Sequence, residues 1–393
     1  MCKILSMRKP LNITIVNTMP FPSGAASVNR IISYSKGLVE LGNNVTVLST
    51  SFGIDNLEHN IDGIKYKSLR TSYNSKIKNY FSLLVALFRL IRIISSTKNR
   101  IDVVILVSNS LFLIYPLFFL TKIKGIRFVQ EKSEYPFILN KKSIFGKVLG
   151  ELYVKTTYKL FDGLIIMTYK LEDYFRDKIR NDCKTIVVPM TVDPGRFSIN
   201  KKNILGEYIA YCGDIGGNKD GVQNLITAFS YITKKFPRVK LLLIGDSKDP
   251  YERIKLEEYV KKIKCENVIF YGAVPRDEIP PLLNNAKLLV LARPSSLQST
   301  GGFPTKLGEY LSTGNPTIVT SVGDIPMYIE DGKNAYLVEP DDNQVFAEKM
   351  EWVLNNYEQG TQVAKNGKNL VYDTFNYKVQ ADRIHKYLLD FYS

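Results

Sequence analysis

Residues Gln298 to Pro316, QSTGGFPTKLGEYLSTGNP, are the stretch on which the reading of this chain turns. Gly301, Gly302 and Pro304 make a turn, and Thr305 opens a short helix carrying Lys306, Leu307, Glu309, Tyr310 and Leu311. Gly314 takes the left-handed position just past the helix end, and Pro316 bars its continuation. The first turn of such a helix has unpaired amides and a partial positive charge, so it suits a phosphate. Gly301 and Gly302 let backbone approach a ligand closely, and Lys306 adds a full charge beside it. Glu309, one turn in, is placed to accept from two neighbouring hydroxyls, as a ribose offers. The same residues also describe an ordinary capped helix with a solvated Glu309, since glycine turns before helices are common.

Outward from this stretch the chain alternates strands and helices throughout. Leu288 to Ala292 is the strand that feeds it, and Thr317 to Thr320 and Ala335 to Val338 are strands that follow. Tyr208 to Cys212, Lys240 to Ile244 and Val268 to Tyr271 precede it, each followed by a helical segment. The first half repeats the pattern: Leu11 to Asn17 (LNITIVN), a helix from about Val28 to Leu41, and Asn44 to Ser49 (NVTVLS) form a βαβ unit. Further strands are expected at Gly63 to Leu69, Asp102 to Ser108, Arg127 to Gln130, Gly163 to Met167 and Thr185 to Val188. Compact aliphatic runs of this kind belong to buried parallel sheets. The fold class is therefore α/β, with two Rossmann-like doubly wound sheets.

Ala292 to Pro340 resembles the nucleotide-sugar site of the retaining GT-B glycosyltransferases known as group 1 or family 4. That family carries two glutamates around a Gly-Phe-Pro or Gly-Phe-Gly core, followed by a small-residue-Gly-x-Pro turn. Here GGFPTKLGEYLSTGNP supplies Gly302, Phe303, Pro304 and the second glutamate, Glu309, while Gly301 replaces the first. The resemblance implies donor contacts from Gly301 through Leu307 and ribose recognition by Glu309. The family also has an Arg and a Lys in the first loop of the second domain. In GDIGGNKDG, which begins at Gly213, Lys219 matches the Lys and Asp214 stands at the Arg position, leaving Arg293 to supply the missing charge. Base recognition falls on Val274 and Arg276, and the family's glycine-rich first loop on Ser23, Gly24 and Ala25. Where relatives place a histidine after a first-domain strand, this chain has Glu131, Lys132 and Glu134. Glu131 or Glu134 is then a candidate to orient an acceptor hydroxyl or take its proton, and the alternative is a surface charge cluster. VPMTVDPGRF matches the family's hinge at Pro189, Val192, Asp193 and Phe197. The domains implied are 1–198 on the acceptor side, 199–375 for the nucleotide sugar, and a helix in 376–393 crossing back, with the two sheets facing a cleft.

Composition bounds the rest. The 393 residues suffice for two cores, and a hydrophobic content of 45% with 23% charged residues is that of a globular protein. Four dispersed cysteines and two histidines, His59 and His385, exclude a zinc framework or a histidine triad, and both histidines are expected at the surface. The formal net charge of +15 lies entirely in the first half, which has about 28 Lys and Arg against about 13 Asp and Glu up to Met190. Such a half suits a phosphorylated acceptor or an anionic membrane face, and no nucleic-acid signature accompanies it. The apolar runs Phe81 to Ile94 and Ser108 to Thr121 fall short of the roughly twenty residues needed to span a bilayer, so they are buried or membrane-surface helices. No signal peptide is expected from Met1 to Pro10.

The expected activity is metal-independent, cofactor-free transfer of a sugar from a UDP- or GDP-linked donor to a saccharide or lipid-diphosphate-linked acceptor. The setting would be cell-surface polysaccharide assembly, at the cytoplasmic face of the inner membrane. The alternative is a noncatalytic nucleotide-sugar-binding or scaffold partner of another transferase, suggested by Gly301 and Asp214. A GT-B epimerase would need acid and base side chains that do not stand out.

Overall fold

A sheet covered on both faces needs strands with almost no polar residue, and the aliphatic runs of this chain supply them. The computed structural model describes residues 9–23, 26–53, 57–70, 76–97, 100–136, 144–198 and 205–393, with only the backbone of 76–80, 144–147 and 149. The chain divides into two compact units, Met1–Thr191 with Tyr377–Ser393, and Val192–Asn376.

The first unit runs β1 (Asn12–Asn17), α1 (Ala26–Glu40), β2 (Asn44–Phe52), β3 (His59–Ile61), β4 (Ile64–Arg70), α2 (Lys76–Ser95), β5 (Val103–Val107), α3 (Leu111–Lys124), β6 (Arg127–Lys132), α4 (Ile144–Thr157), β7 (Gly163–Ile166), α5 (Tyr169–Phe175) and β8 (Lys184–Val187). Its eight-stranded sheet is ordered β3-β4-β2-β1-β5-β6-β7-β8, parallel except where β3 meets β4. β3 has no counterpart among the expected strands. It pairs Ile61 with Ile64 across Asp62 and Gly63, both at positive φ. Asp-Gly is the signature of this tight turn, but a three-residue strand with no buried position shows no alternation to betray it.

The second unit runs β9 (Tyr208–Cys212), α6 (Val222–Ile232), β10 (Lys240–Ile244), α7 (Pro250–Lys262), β11 (Val268–Gly272), α8 (Ile279–Asn284), β12 (Leu288–Leu291), α9 (Leu297–Gly301), α10 (Thr305–Thr313), β13 (Thr317–Thr320), β14 (Tyr336–Val338), α11 (Asn343–Asn355) and α12 (Tyr357–Leu370). Its six strands are all parallel, in the order β11-β10-β9-β12-β13-β14. From β9 the chain steps outward to β10 and β11, then returns to lay β12 on the other side. The loops after β9 and β12 therefore part at the point where strand order reverses, which is where open α/β sheets form a ligand crevice.

A last helix, α13 (Tyr377–Leu389), returns to the first unit and packs on α1. The two helices approach so closely at Gly37 that a Cβ there would lie 2.5 Å from Cβ of Ala381. His385 is fully buried on this helix, contrary to the surface position expected for it; His59 is exposed. The reason is helical spacing, which puts His385 on the inward face with Ala381 and Leu388.

Charge is also buried in the first unit. Arg30 of α1 donates from Nε to Oε1 of Glu131 at 2.8 Å, and from its two terminal nitrogens to the carbonyls of Val188 and Pro189. Both side chains of the pair are almost wholly enclosed. Lys132 is enclosed beside them, with its ammonium on Oδ1 of Asn109. Burial pulls Lys132 down to about 8, although Glu131 and Glu134 favour its charge. Glu131 and Lys132 are thus no surface cluster: one buried guanidinium joins α1, the end of β6 and the segment after β8.

Removing one partner of a buried pair strands the other charge, which costs about 3–5 kcal/mol. Arg30→Ala is expected to lower the unfolding free energy by about that amount, read from the urea midpoint.

Candidate functional site

The site assembles where the loops after β9 and β12 diverge. β9 ends at Cys212, and the loop from Gly213 to Gly221 leads into α6, whose N-cap Gly221 has φ 65°. A Cβ on Gly221 would lie 1.9 Å from the carbonyl oxygen of Ala292, so only glycine lets the two loops touch. From β12 the chain passes Ala292 and Arg293 into α9. The sequence suggests a plain glycine turn here, but residues 297–301 are helical. Ser296 and Ser299 form a reciprocal capping box that starts α9. Gly301 is its last residue and Gly302 is extended.

Pro304 is the N-cap of α10 and contributes no side-chain hydrogen bond; the amide of Leu307 donates to the Pro304 carbonyl at 3.1 Å, so it is the amides of Thr305 and Lys306 that the helix start presents to an anion. Leu307, Tyr310 and Leu311 face inward, and the amide of Cys212 donates to the Tyr310 hydroxyl at 2.7 Å. That fixes α10 against the end of β9. Gly314 ends the helix at φ 76°, as its sequence position indicates. Phe303 is buried against Tyr328 and Phe375 and anchors the loop ahead of α10.

Lys306 reaches from α10 to the loop after β9. Its Nζ lies 2.5 Å from Oδ2 of Asp220, and its stem crosses Gly213 so closely that a Cβ there would sit 1.8 Å from Cε of Lys306. Asp220 also accepts from the Tyr211 hydroxyl at 3.0 Å and lies 3.6 Å from Nε of Arg293. Burial opposes ionisation of Asp220, yet Lys306, with Arg293 and Tyr211, holds its carboxyl below the usual range. Arg293 is 1% exposed and also donates from Nη1 to the Gly302 carbonyl at 3.4 Å. It therefore sits behind the loops rather than on their surface, unlike the ligand-facing cation expected from sequence.

Glu309 lies one turn along α10. Its Oε1 is 3.0 Å from Nη1 of Arg196, whose Nη2 donates to the Arg276 carbonyl at 2.9 Å. Glu309 is thus a held carboxylate, and Arg196 ties it to the segment that follows β11, where Val274 is half-buried. Lys219 and Asp214 are exposed on the loop after β9. The Asp214 carboxylate accepts from the amide of Gly216 at 2.9 Å, so it folds onto its own loop.

Gly213, Arg293 and the residues from Gly301 to Glu309 are thus brought into one region of the second unit, with Lys219 on its edge. Glu131 and Glu134 belong to the first unit, where Glu131 is locked to Arg30 and Glu134 is half-buried. Gly24 lies outside the described residues. Sequence reasoning missed Asp220, Tyr211 and Arg196. Asp220 passed as one more residue of a glycine-rich loop, and Arg196 stands in a segment read only as a hinge.

Residues 206–356 match the family described as glycosyl transferases group 1. The capsular polysaccharide biosynthesis glycosyltransferase CapM of Staphylococcus aureus is 29% identical over 44% of this chain and 43% of its own length. The chain spans less than two thirds of the length of the curated relatives it matches. Among solved structures, sucrose-phosphate synthase of Thermosynechococcus elongatus superposes with a TM-score of 0.77 at 16% identity, covering 97% of this chain and 99% of that one. Anabaena HepE in complex with UDP-glucose gives 0.73 at 14% identity, covering 96% and 99%. These likenesses show the fold, two parallel-sheet α/β domains of the GT-B kind.

Asp220→Asn leaves Lys306 and Arg293 beside a neutral amide and is expected to cost about 3 kcal/mol of stability at neutral pH. The contribution of the ionised carboxylate is complete above its unfolded value of about 3.9. It is lost as pH falls through the lower folded value. Urea titrations of both proteins between neutral and strongly acid pH should show the gap closing.

Proposed function

We propose, from the match of residues 206–356 to the group 1 glycosyl transferases, that the chain transfers a sugar from a UDP- or GDP-linked donor to a saccharide or lipid-linked acceptor. We propose further that the transfer retains anomeric configuration and needs no metal ion. The observation that carries the reading is the convergence of Lys306, the uncapped start of α10 and the Arg196-held Glu309. A breaking glycosyl–phosphate bond leaves negative charge on a diphosphate, and preorganised cations and helix amides stabilise it where it develops. Lys306 and the α10 amides take the diphosphate, with Lys219 closing from the exposed loop. Glu309 keeps one carboxylate oxygen for the ribose hydroxyls while Arg196 holds the other.

Arg293 is a positioning residue in this scheme. It fixes Asp220, and through it Lys306, from behind. On the acceptor side Glu131 or Glu134 is the candidate to receive the hydroxyl proton. The donor class draws support from the UDP-glucose in the HepE structure, and a setting in cell-surface polysaccharide assembly from CapM. The basic first half supports an acceptor carrying phosphate at the cytoplasmic membrane face.

A thermal-shift screen over nucleoside diphosphates and their sugars tests the donor site. A true ligand at a hundred times its Kd stabilises by about 2.7 kcal/mol, and no response from any uridine or guanosine diphosphate would remove the reading. Labelled donors then separate transfer from binding alone. Lys306→Ala is expected to lower kcat/KM by about two to three orders of magnitude, and Glu309→Gln to weaken nucleotide binding about tenfold.

A further inference from the structure

α2 and α3 lie side by side and each turns an apolar stripe outward. On α2 the inward positions are Ser82, Ala86, Leu90 and Ile94, all nearly inaccessible. The outward ones are Phe81, Leu84, Val85 and Phe88, which recur at the spacing of a second helical face. Phe88 is 67% exposed. On α3 the core takes Leu113, Ile114 and Leu117, while Leu111, Tyr115, Phe119 and Ile123 face outward, Ile123 at 81%. A helix with an apolar stripe on the side away from its core has been given a second apolar environment.

Charge says which one. The two stripes meet a basic edge where both helices end: Arg92, Lys122 and Lys124 are exposed there, with Lys124 donating to the Ser95 carbonyl. From Lys76 to Lys159 the chain has fifteen lysines and arginines against four carboxylates. A second copy of this face would bring an equally basic surface and be repelled. An anionic bilayer offers the complement to both features, headgroups for the cations and acyl chains for the rings. No helix of the described residues is long and apolar enough to cross a membrane, so the contact is one of lying on the surface.

We propose that α2 and α3 together seat the first unit on an anionic lipid surface, with Phe81, Phe88, Phe119 and Ile123 entering the headgroup–acyl boundary and Arg92, Lys122 and Lys124 meeting lipid phosphates. This rests on the preceding reading in one respect, a lipid-linked acceptor, and it names the surface that delivers that acceptor.

The full chain is floated with vesicles of phosphatidylcholine alone and of phosphatidylcholine with phosphatidylglycerol, alongside the double variant Phe88→Glu/Phe119→Glu. Both rings are outward, so the variant's melting temperature and its response to UDP or GDP should match the parent's. The expected result is binding to anionic vesicles, weakened by salt and reduced about tenfold or more in the variant. No binding, or equal binding by the variant, overturns the proposal. So does a dimer in sedimentation velocity that the variant dissolves without any vesicle binding. Loss of nucleotide response in the parent would instead count against the donor site and leave the vesicle result standing.

Discussion

The ion pair between Asp220 and Lys306 is the constraint on which the second unit's site depends. It spans the switch point, joining the loop after β9 to the first turn of α10 at 2.5 Å. A lone lysine at a helix start would swing into water, and its long stem would lose ordering entropy each time it met a ligand. Tethered to a buried carboxylate, it stays beside the start of α10. The tether must not neutralise the site, and here Arg293 supplies the second cation that leaves Asp220 outnumbered. Gly213 and Gly221 are what permit the geometry, since a methyl group at either position would overlap Lys306 or the backbone of Ala292.

The first unit uses a buried charge differently. Arg30 reaches a carboxylate on β6 and two backbone carbonyls after β8, all with little access to water. Buried carbonyls at the end of an edge strand need donors, and one planar guanidinium satisfies two of them while pairing with Glu131. The result is structural definition at the carboxyl ends of the strands, the side on which α/β sheets carry ligands. Here too a residue with acid–base potential is spent on holding backbone.

Much of this is legible in the sequence. Parallel strands announce themselves as aliphatic runs, and Tyr208–Cys212, Lys240–Ile244 and Thr317–Thr320 fall where the residues place them. α10 was readable because its start, its inward stripe and Gly314 all agree. What hid was long-range or two-sided. Asp220 and Lys306 are far apart in sequence, and nothing local pairs them. Arg196 looked like part of a connector until its fork closed on Glu309. α3 is apolar on nearly every side, so its pattern could not separate the face that packs on the sheet from the face that looks out. His385 hid for the opposite reason, a polar side chain on an inward helical face.

The two departures from the family pattern, Gly301 and Asp214, become intelligible through charge balance. Around α10 the structure sets Lys306, Arg293 and Arg196 against Asp220 and Glu309, with each carboxylate already engaged by a cation. A glutamate at 301 would add a third carboxylate at the buried end of α9, where desolvation makes an unmatched charge expensive. Asp214 stands where a cation is expected, but its carboxylate is spent on the Gly216 amide within an exposed loop, where water screens it. Among these side chains three cations face two carboxylates, and Asp214 turns its own carboxylate onto its loop. Under the proposed reading, a leaving diphosphate would meet these cations without a carboxylate at 301 beside it.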